Sequence, residues 1–159
     1  MRLARNWFPN PRLAASGVQP EIRNVVYEPL ADGVPGFRLA NTRTDSGMVT
    51  WTIHGLPVGE RMVCSAIIDS RYAQDEQIIV MYDRDFSRSQ SLRHELDGTL
   101  KLSYEFTANT ETMRIRFMNS RSVDSVFRRI VVTQAWAWPA MDAAAGDALV
   151  PWGGLSPLA

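Results

Sequence analysis

The sequence predicts an all-β fold, an antiparallel β-sandwich or barrel, from three observations. Apolar and polar side chains alternate in most segments, as in strands with one buried face. Turn-forming residues separate these segments at short intervals, and no segment has the spacing of an amphipathic helix. No internal repeat is visible, which disfavours a propeller or a solenoid. At 159 residues the chain is long enough to bury one core without a disulfide or metal to stabilise it.

The first half of the chain contains four predicted strands. Residues 22–27 and 36–40 are short and are predicted to lie at sheet edges. Residues 49–53 alternate apolar side chains with threonine, which is typical of a strand with one face in the core. Glycine and proline at 55–59 then form a turn before the apolar positions of 62–68. We expect the strands on either side of this turn to form a hairpin.

The second half contains four more predicted strands. Residues 78–82 are a short apolar run, predicted to be a buried strand, and 83–98 are predicted to be a polar, arginine-rich loop ending in an Asp-Gly turn. Residues 100–106 show the clearest alternation in the chain, and 113–117 repeat it. A last strand is predicted at 126–134.

The chain divides into three parts. Residues 1–20 are an N-terminal arm with the first strand, 21–134 are the sandwich, and 135–159 are an apolar C-terminal arm. The C-terminal arm holds three of the five tryptophans and is too apolar for a solvated tail, so we expect it to lie against its own sandwich or a neighbouring subunit. Because tryptophan dominates the energetics of protein contacts, we predict four interface anchors: Trp7, Trp136, Trp138 and Trp152.

The charge balance argues against two classes of partner. Seventeen basic and seventeen acidic side chains cancel, so no overall field attracts nucleic acid or an anionic membrane. No segment is apolar over the length of a membrane span, and residues 1–13 lack the unbroken apolar stretch of a signal peptide. We therefore expect synthesis in the cytoplasm, no export by the general route, no membrane insertion and no nucleic-acid binding. All the basic residues except Lys101 are arginine, which either a GC-rich genome or a preference for arginine at interfaces would explain.

The residues that catalysis requires do not form a recognisable pattern. His54 and His94 lack the spacing of a zinc site, and no nucleophile motif or glycine-rich phosphate loop is present. Cys64 has no partner for a disulfide and lies in an apolar run, which favours a buried thiol over a reactive one. Paired carboxylates from distant strands stay open, since sequence spacing does not test them. We predict that the protein is not an enzyme and that it has neither a cofactor nor a resident metal.

Two acids in the predicted arginine-rich loop leave one alternative open. Asp83 and Asp85 could ligate a calcium ion, but the run lacks the glycine and the distal glutamate of a known calcium loop. Ion pairs with Arg84 and Arg88 are the more ordinary arrangement for such surface charges.

Four short segments resemble those of a known family. The sequence Asn-Trp-Phe-Pro-Asn-Pro at 6–11 resembles the "N-L-L-P-N-P" start of bacteriophage minor tail proteins and of carbohydrate-binding modules with a jelly-roll, galactose-binding-like fold. Residues 55–62 are similar to the family's "G-L-x-x-G-x-x-Y", residues 98–108 to "G-T-x-R-x-S-x-x-F-T-A", and residues 126–132 to "F-x-x-V-x-V-E". The "Y-F-D-G" segment of the tail proteins is missing, and 151–156 resembles a remnant of their "W-T-G-T-P" element.

This resemblance implies a jelly-roll β-sandwich and a place in a phage tail or tail tip. It implies a structural virion protein that is assembled in the host cytoplasm, forms a homo-oligomer, binds other tail proteins and contacts host surface glycan. The alternative is a free-standing glycan-binding module or receptor-binding protein whose main role is host recognition.

A sugar site needs an aromatic ring on which the apolar face of a pyranose can stack, with polar side chains around it for the hydroxyls. Two tyrosines, and three charged residues on the polar face of adjacent predicted strands, are our candidates for carbohydrate binding: Tyr72, Tyr82, Glu105, Arg114 and Arg116. Tyr82 has a core position as its alternative, and Trp136 and Trp138 could form a sugar platform or a core lid instead of interface anchors.

Overall fold

The computed structural model describes residues 2–31, 33–42, 45–119, 123–145 and 155–158. An antiparallel sheet of eight strands folds over on itself into a sandwich, and a separate two-stranded sheet and one helix accompany it. The predicted all-β, antiparallel sandwich is thereby confirmed. The elements are β1 Arg2–Arg5, β2 Glu21–Arg23, β3 Val26–Pro29, β4 Gly36–Ala40, β5 Gly47–Ile53, β6 Arg61–Asp83, β7 Ser89–Thr107, β8 Met113–Asn119, β9 Asp124–Gln134, α1 Trp138–Ala145 and β10 Leu155–Leu158.

Two long strands, β6 and β7, run through both layers of the sandwich. The first part of β6 pairs with β9 and its last part pairs with β8, while β7 pairs with β6 along most of its length. Register shifts between Tyr72 and Ile79 mark the place where the pair bends from one layer to the other. We call the layer of β2, β5, β8 and the end of β6 the front sheet, and the layer of β3, β4, β9 and the start of β6 the back sheet.

The strand pairing corrects five predictions. Residues 36–40 do not lie at a sheet edge, because β4 pairs with β3 on one side and with β9 on the other. The segments 62–68 and 78–82 belong to one strand, and most of the predicted loop 83–98 is strand β7, so that only 84–88 connects β6 and β7. The predicted hairpin of 49–53 with 62–68 is wrong, because β5 pairs with β2 and β8 and the turn after β5 leads to the back sheet. The predicted strand 22–27 is split at Asn24, whose φ of 54° lets the chain cross from β2 to β3.

The core between the layers is built around aromatic rings. Trp51 and Phe117 come from the front sheet and Phe37 and Phe127 from the back sheet, and all four are almost fully buried. Phe37 lies 5.3 Å from both Trp51 and Phe117, measured between ring centroids, and stacks on Phe127 at 5.2 Å. Edge-to-face and stacked rings at these distances add to the gain from burying their apolar area. This packing holds the two layers together.

The segment after β1 closes one side of the sandwich. Asn6 is buried, and its Nδ2 donates to the Ile130 carbonyl at 2.9 Å while its Oδ1 accepts from the Val132 amide at 2.9 Å. The Trp7 amide donates to the Val132 carbonyl at 2.8 Å, so this segment continues the hydrogen bonding beyond the part of β9 that pairs with β4. Phe8 then enters the core, with its ring centroid 5.0 Å from that of Trp51.

The helix α1 was not predicted from the alternating pattern. It lies on the outer face of the back sheet, where Ala137 and Met141 pack with Ala4 and Val131 in a small second cluster. Lys101 on β7 contacts the carboxylate of Asp142 on the helix. Within the part of the chain that the structure describes, no helix has the length and apolar character needed to span a membrane.

We predict that Phe8→Ala lowers the free energy of unfolding by about 3–5 kcal/mol, because the cavity would lie between Trp51 and Phe117 in a close-packed core. Urea unfolding followed by tryptophan fluorescence measures this change. Phe86→Ala is the matched control, since the ring of Phe86 is 40% exposed and should cost much less. Equal losses for the two variants would contradict a core position for Phe8.

We predict that the protein loses stability in alkali, because three acidic groups are buried in their neutral form. Burial raises the pKa of Tyr27 to about 12 and also raises the pKa of the Cys64 thiol. Burial, with a smaller contribution from Cys64, raises the pKa of Tyr104, whose hydroxyl has no hydrogen-bond partner among the described residues. The unfolded chain releases these protons at lower pH than the folded one, so the free energy of unfolding falls from about pH 9 upward.

Tyr104→Phe tests this pH dependence. The variant should match or exceed the wild-type stability at pH 7, because it removes a buried hydroxyl without a partner. Between about pH 10 and 12 its free energy of unfolding should fall less steeply, by up to about 1.4 kcal/mol per pH unit. Urea titrations at fixed pH values provide the measurement, and parallel curves for variant and wild type would refute the assignment.

Candidate functional site

The outer face of the front sheet carries a set of large polar side chains. On β8, the buried residues Ile115 and Phe117 alternate with the half-buried Arg114 and Arg116. Arg116 lies opposite Thr50 of β5, and Arg114 lies opposite Tyr82 of β6. Directly opposed residues share a face of a sheet, so these four side chains lie together on the outer face.

Both arginines lie over aromatic rings. The guanidinium carbon of Arg116 is 4.8 Å from the centroid of Tyr82, and that of Arg114 is 4.7 Å from the centroid of Phe86. The Tyr82 and Phe86 centroids are 5.2 Å apart. Arg116 also donates from Nε to the Thr50 hydroxyl at 3.2 Å and approaches the Tyr82 hydroxyl with Nη1 at 3.4 Å. We call Tyr82, Phe86, Arg114 and Arg116 the arginine–aromatic cluster.

The turn between β6 and β7 presents Phe86 to this cluster. Phe86 has a φ of 62°, a conformation that is costly for a bulky residue. The turn is held by the buried Asp83, whose carbonyl accepts from the Phe86 amide at 3.0 Å and whose carboxylate lies 3.3 Å from Nε of Arg88. Asn109 donates to the other carboxylate oxygen at 3.2 Å. These contacts of Asp83 hold the turn, and the turn holds the Phe86 ring at the surface. Both carboxylate oxygens of Asp83 have protein partners.

The two acids considered as calcium ligands have separate protein partners. Asp83 pairs with Arg88, whereas Asp85 accepts from the Ser87 amide at 3.0 Å. Hydrogen bonds from Ser87 hold the pKa of the Asp85 carboxyl below its usual value. Among the described residues, no group of three or more histidine, cysteine, aspartate or glutamate side chains is arranged to hold a metal ion.

A groove of about 370 Å³ lies beside the cluster, between β5 and the N-terminal segment. Trp7 forms part of its wall, with its indole Nε1 donating to the Gly55 carbonyl at 3.2 Å. The Arg5 guanidinium carbon lies 5.3 Å from the centroid of the Trp7 ring, which is half-buried. Most of the other residues that line it are of polar types: Pro9, Val18, Gln19, Glu21, Thr50, Thr52 and His54.

The groove and the arginine–aromatic cluster form one continuous surface. Thr50 lines the groove and also accepts a hydrogen bond from Arg116 of the cluster. Glu21 lines the groove too, and its carboxylate is 4.0 Å from Nη1 of Arg114. We call the groove and the cluster together the front surface.

Three of the five predicted sugar-binding residues meet on the front surface: Tyr82, Arg114 and Arg116. Glu105 is not among them, because it lies on the part of β7 that follows the back sheet, where it contacts Arg61. The side chain of Tyr72 lies outside the described part of the structure.

The predicted interface tryptophans have different positions. Trp7 lines the groove of the front surface. Trp138 packs against the small cluster around α1, with Lys101 Nζ 6.0 Å from its ring centroid, and Trp136 in the preceding turn is 40% exposed. Trp152 lies outside the described residues.

Sequence reasoning missed Phe86 and most of the groove. The sequence gives one weak signal for Phe86: it is an aromatic residue among the charged residues of a turn, where a ring has little chance of burial. Gln19 and Glu21 carry no signal of their own, since exposed polar residues are the rule in edge strands and connections. Thr52 reads only as the outer face of strand β5.

Two of the groups considered for catalysis, Cys64 and His54, lie in the core and at the groove, respectively. The Cys64 thiol is buried in the core, and this burial raises its pKa, which disfavours the reactive thiolate. His54 at the groove places its Nδ1 3.3 Å from the hydroxyl of Thr112.

Comparison with known proteins identifies the fold but not a family. No protein-family model matches the sequence, and no curated protein matches it. Among solved structures, the chain is similar to the enzymatically active domain of tailspike protein 4 from bacteriophage CBA120, with a TM-score of 0.60 and 10% identity. The match covers 81% of this chain and 21% of the tailspike chain, so this chain spans about a fifth of that protein.

Carbohydrate-binding modules are similar over most of their length. A family 29 module from Piromyces equi matches with a TM-score of 0.56 and 11% identity, covering 83% of this chain and 90% of that one. TmCBM61, solved in complex with β-1,4-galactotriose, matches with a TM-score of 0.52 and 11% identity, covering 82% and 99%. These similarities confirm the fold of carbohydrate-binding modules that the sequence resemblance implied. No sequence match places the chain among phage minor tail proteins.

Proposed function

We propose that the protein is a non-catalytic glycan-binding domain and that its front surface is the sugar site. The observation that carries this proposal is the half-buried Trp7 ring in the wall of a groove that also presents several polar side chains. A pyranose has one apolar face of C–H groups and a rim of hydroxyls. A groove that offers both an aromatic ring and polar side chains suits both parts of the sugar.

The polar residues of the groove supply both donors and acceptors. Glu21 accepts only, Thr52 can do both, and His54 can do either according to its tautomer. Gln19 uses its Nε2 on the Gly17 carbonyl at 2.9 Å, which leaves its Oε1 as an acceptor for a sugar hydroxyl. Hydrogen bonds from such groups fix the orientation of a stacked sugar ring and select among sugars.

The fold supports the same class of ligand. TmCBM61 was solved with β-1,4-galactotriose, and a mutant of a family 29 module that matches this chain with a TM-score of 0.57 was solved with cellulohexaose. At 11% and 8% identity these proteins support sugar binding as a class and not a particular sugar. Absence of catalysis is part of the proposal, because the burial of Cys64 and the neutral partner of His54 leave these two groups unactivated.

We predict that Trp7→Ala lowers the affinity for a bound oligosaccharide at least about tenfold, because the apolar face of the sugar loses its stacking partner. An array that includes cellohexaose, β-1,4-galactotriose and bacterial surface oligosaccharides identifies a ligand. Calorimetry with the oligosaccharide that binds then gives the dissociation constant per protomer for the wild type and the variant.

Trp136→Ala is the matched control for this experiment. It removes an exposed tryptophan away from the front surface and should leave the dissociation constant within about twofold, since no contact with the sugar is lost. Thermal unfolding of both variants verifies that they fold. Absence of any bound glycan on the array, or equal affinities for both variants and wild type, would refute the proposal.

We also propose that this domain works in a phage tail or tail tip, where it associates with copies of itself and with other tail proteins. The similarity to a segment of the CBA120 tailspike supports this proposal, since that segment belongs to a much longer tail protein. The exposed Trp136 supports it as well, because tryptophan is enriched at the centres of protein interfaces. Such a protein would be assembled in the host cytoplasm. The alternative is a free-standing glycan-binding module that serves host recognition.

We predict that the purified protein forms an oligomer, with a mass that is a multiple of 17.9 kDa by light scattering. Trp136→Asp should shift it towards the monomer, because an unpaired charge at a buried contact is costly. Val58→Asp is the control, since Val58 is 62% exposed in the turn between β5 and β6 and should leave the mass unchanged. A wild-type mass of 17.9 kDa at micromolar concentration would favour the free-standing module.

A further inference from the structure

The front surface concentrates positive charge in a chain whose formal net charge is zero. Arg116 contacts the Thr50 hydroxyl and the Tyr82 ring but pairs with no carboxylate among the described residues. Arg5 likewise contacts the Trp7 ring without an acidic partner in that part of the chain. Glu21 is the one acid among the described residues that line the groove, and it lies 4.0 Å from Arg114.

Two arginines of the back sheet, Arg38 and Arg61, have acidic partners instead. Arg38 pairs with Glu28 at 2.9 Å and with Asp124 at 2.6 Å. Arg61 contacts the carboxylate of Glu105. Arg116 and Arg5 therefore differ from Arg38 and Arg61, because they contact aromatic rings and have no acidic partner among the described residues.

Contacts within the protein orient Arg116 and still leave donors for a ligand. The Thr50 hydroxyl takes Nε, and the Tyr82 hydroxyl lies within reach of Nη1. A guanidinium has five N–H donors, so both N–H groups of Nη2 and one of Nη1 stay unused by these two contacts. One N–H of Nη1 and one of Nη2 lie side by side on the guanidinium, and such a pair matches two oxygens of a carboxylate or a phosphate.

We propose that the glycan bound by the front surface is acidic, and that Arg116 and Arg5 bind its carboxylate or phosphate groups while a sugar ring stacks on Trp7. This inference rests on the proposed glycan-binding function and specifies its ligand class. Thr50 connects the two arginines, because it lines the same groove as Arg5 and accepts from Arg116.

A neutral sugar would fit this surface poorly. A sugar that covers Arg116 or Arg5 removes water from a cation and returns only hydroxyl contacts, whereas an anionic group compensates the charge directly. Nucleic acid also carries phosphates, but a nucleic-acid binder needs a basic stripe that follows a whole backbone, and the front surface offers three arginines, one of them beside Glu21. An acidic polysaccharide supplies single anionic groups at the spacing of its sugar units.

The test compares three polysaccharides: polygalacturonate with carboxylates, a phosphorylated mannan, and neutral β-1,4-galactan. The wild-type protein should bind one of the two acidic polymers at least about tenfold more tightly than the neutral one, and this preference should shrink as salt rises. Arg116→Gln should remove most of the preference, with a loss of about tenfold or more expected for a charge-assisted hydrogen bond. Whichever acidic polymer binds identifies the anionic group.

Two further variants make the result specific. Arg61→Gln removes the same charge on the back sheet and should leave affinity unchanged, although its partner Glu105 is then unpaired. Arg5→Gln alters an exposed side chain that has no hydrogen bond among the described residues, so it should weaken acidic binding without affecting folding. It therefore keeps the test valid if Arg116→Gln fails to fold.

The possible failures are distinguishable. The acidic specificity is overturned if the protein binds neutral and acidic polymers with equal affinity and both arginine variants keep the wild-type affinity. The glycan site stays in place in that case if Trp7→Ala still lowers the affinity. If Arg61→Gln loses as much affinity as Arg116→Gln, the binding is general electrostatic attraction and the acidic specificity is overturned. A single-stranded DNA oligonucleotide that competes better than any polysaccharide also overturns it. Absence of binding to every polysaccharide and to the oligosaccharide array refutes the glycan-binding function itself.

Discussion

The burial of Phe8 between Trp51 and Phe117 is the contact on which the proposed site depends. It attaches the N-terminal segment to the front sheet, and through the same rings to Phe37 of the back sheet. Successive side chains of an extended segment point to opposite sides. Because Phe8 points into the core, its neighbour Trp7 points outward and its ring becomes a wall of the groove. A packing requirement thus places the residue that we assign to sugar stacking.

The bent pair of β6 and β7 supplies the other half of the front surface. A strand that pairs with β9 at its start and β8 at its end belongs to both layers, so the layers cannot slide relative to each other. The turn at the front end of this pair carries Phe86 and follows Tyr82 directly along the strand. Rings and arginines that lie on a rigid sheet lose little freedom on binding, which favours recognition of a flexible glycan.

The net charge of the whole chain differs from the local charge of the front surface. The formal net charge is zero, yet the front surface carries three arginines against the single glutamate of the groove, while the back sheet pairs Arg38 and Arg61 with acids. Screening confines each charge to its surroundings within about 10 Å at ordinary ionic strength, so a ligand in the groove experiences the local arginines and not the total. The acidic ligand that we propose therefore rests on the arrangement of charges on the sandwich.

The alternating pattern by itself determined most of the strands and which of their side chains face outward, but it assigned residues 89–98 of β7 to a loop. β4 and β8 form at the residues that it predicted as strands, although β4 lies inside the sheet and not at its edge. Arg114 and Arg116 point away from the core as their positions between buried residues require. It did not determine pairing: β5 joins β8, some sixty residues later, instead of the next strand in sequence. Pairing depends on which faces bury most apolar area together, and no local signal encodes that comparison. For the same reason, only the tertiary structure brought Trp7 beside Thr52 and Phe86 beside Arg114.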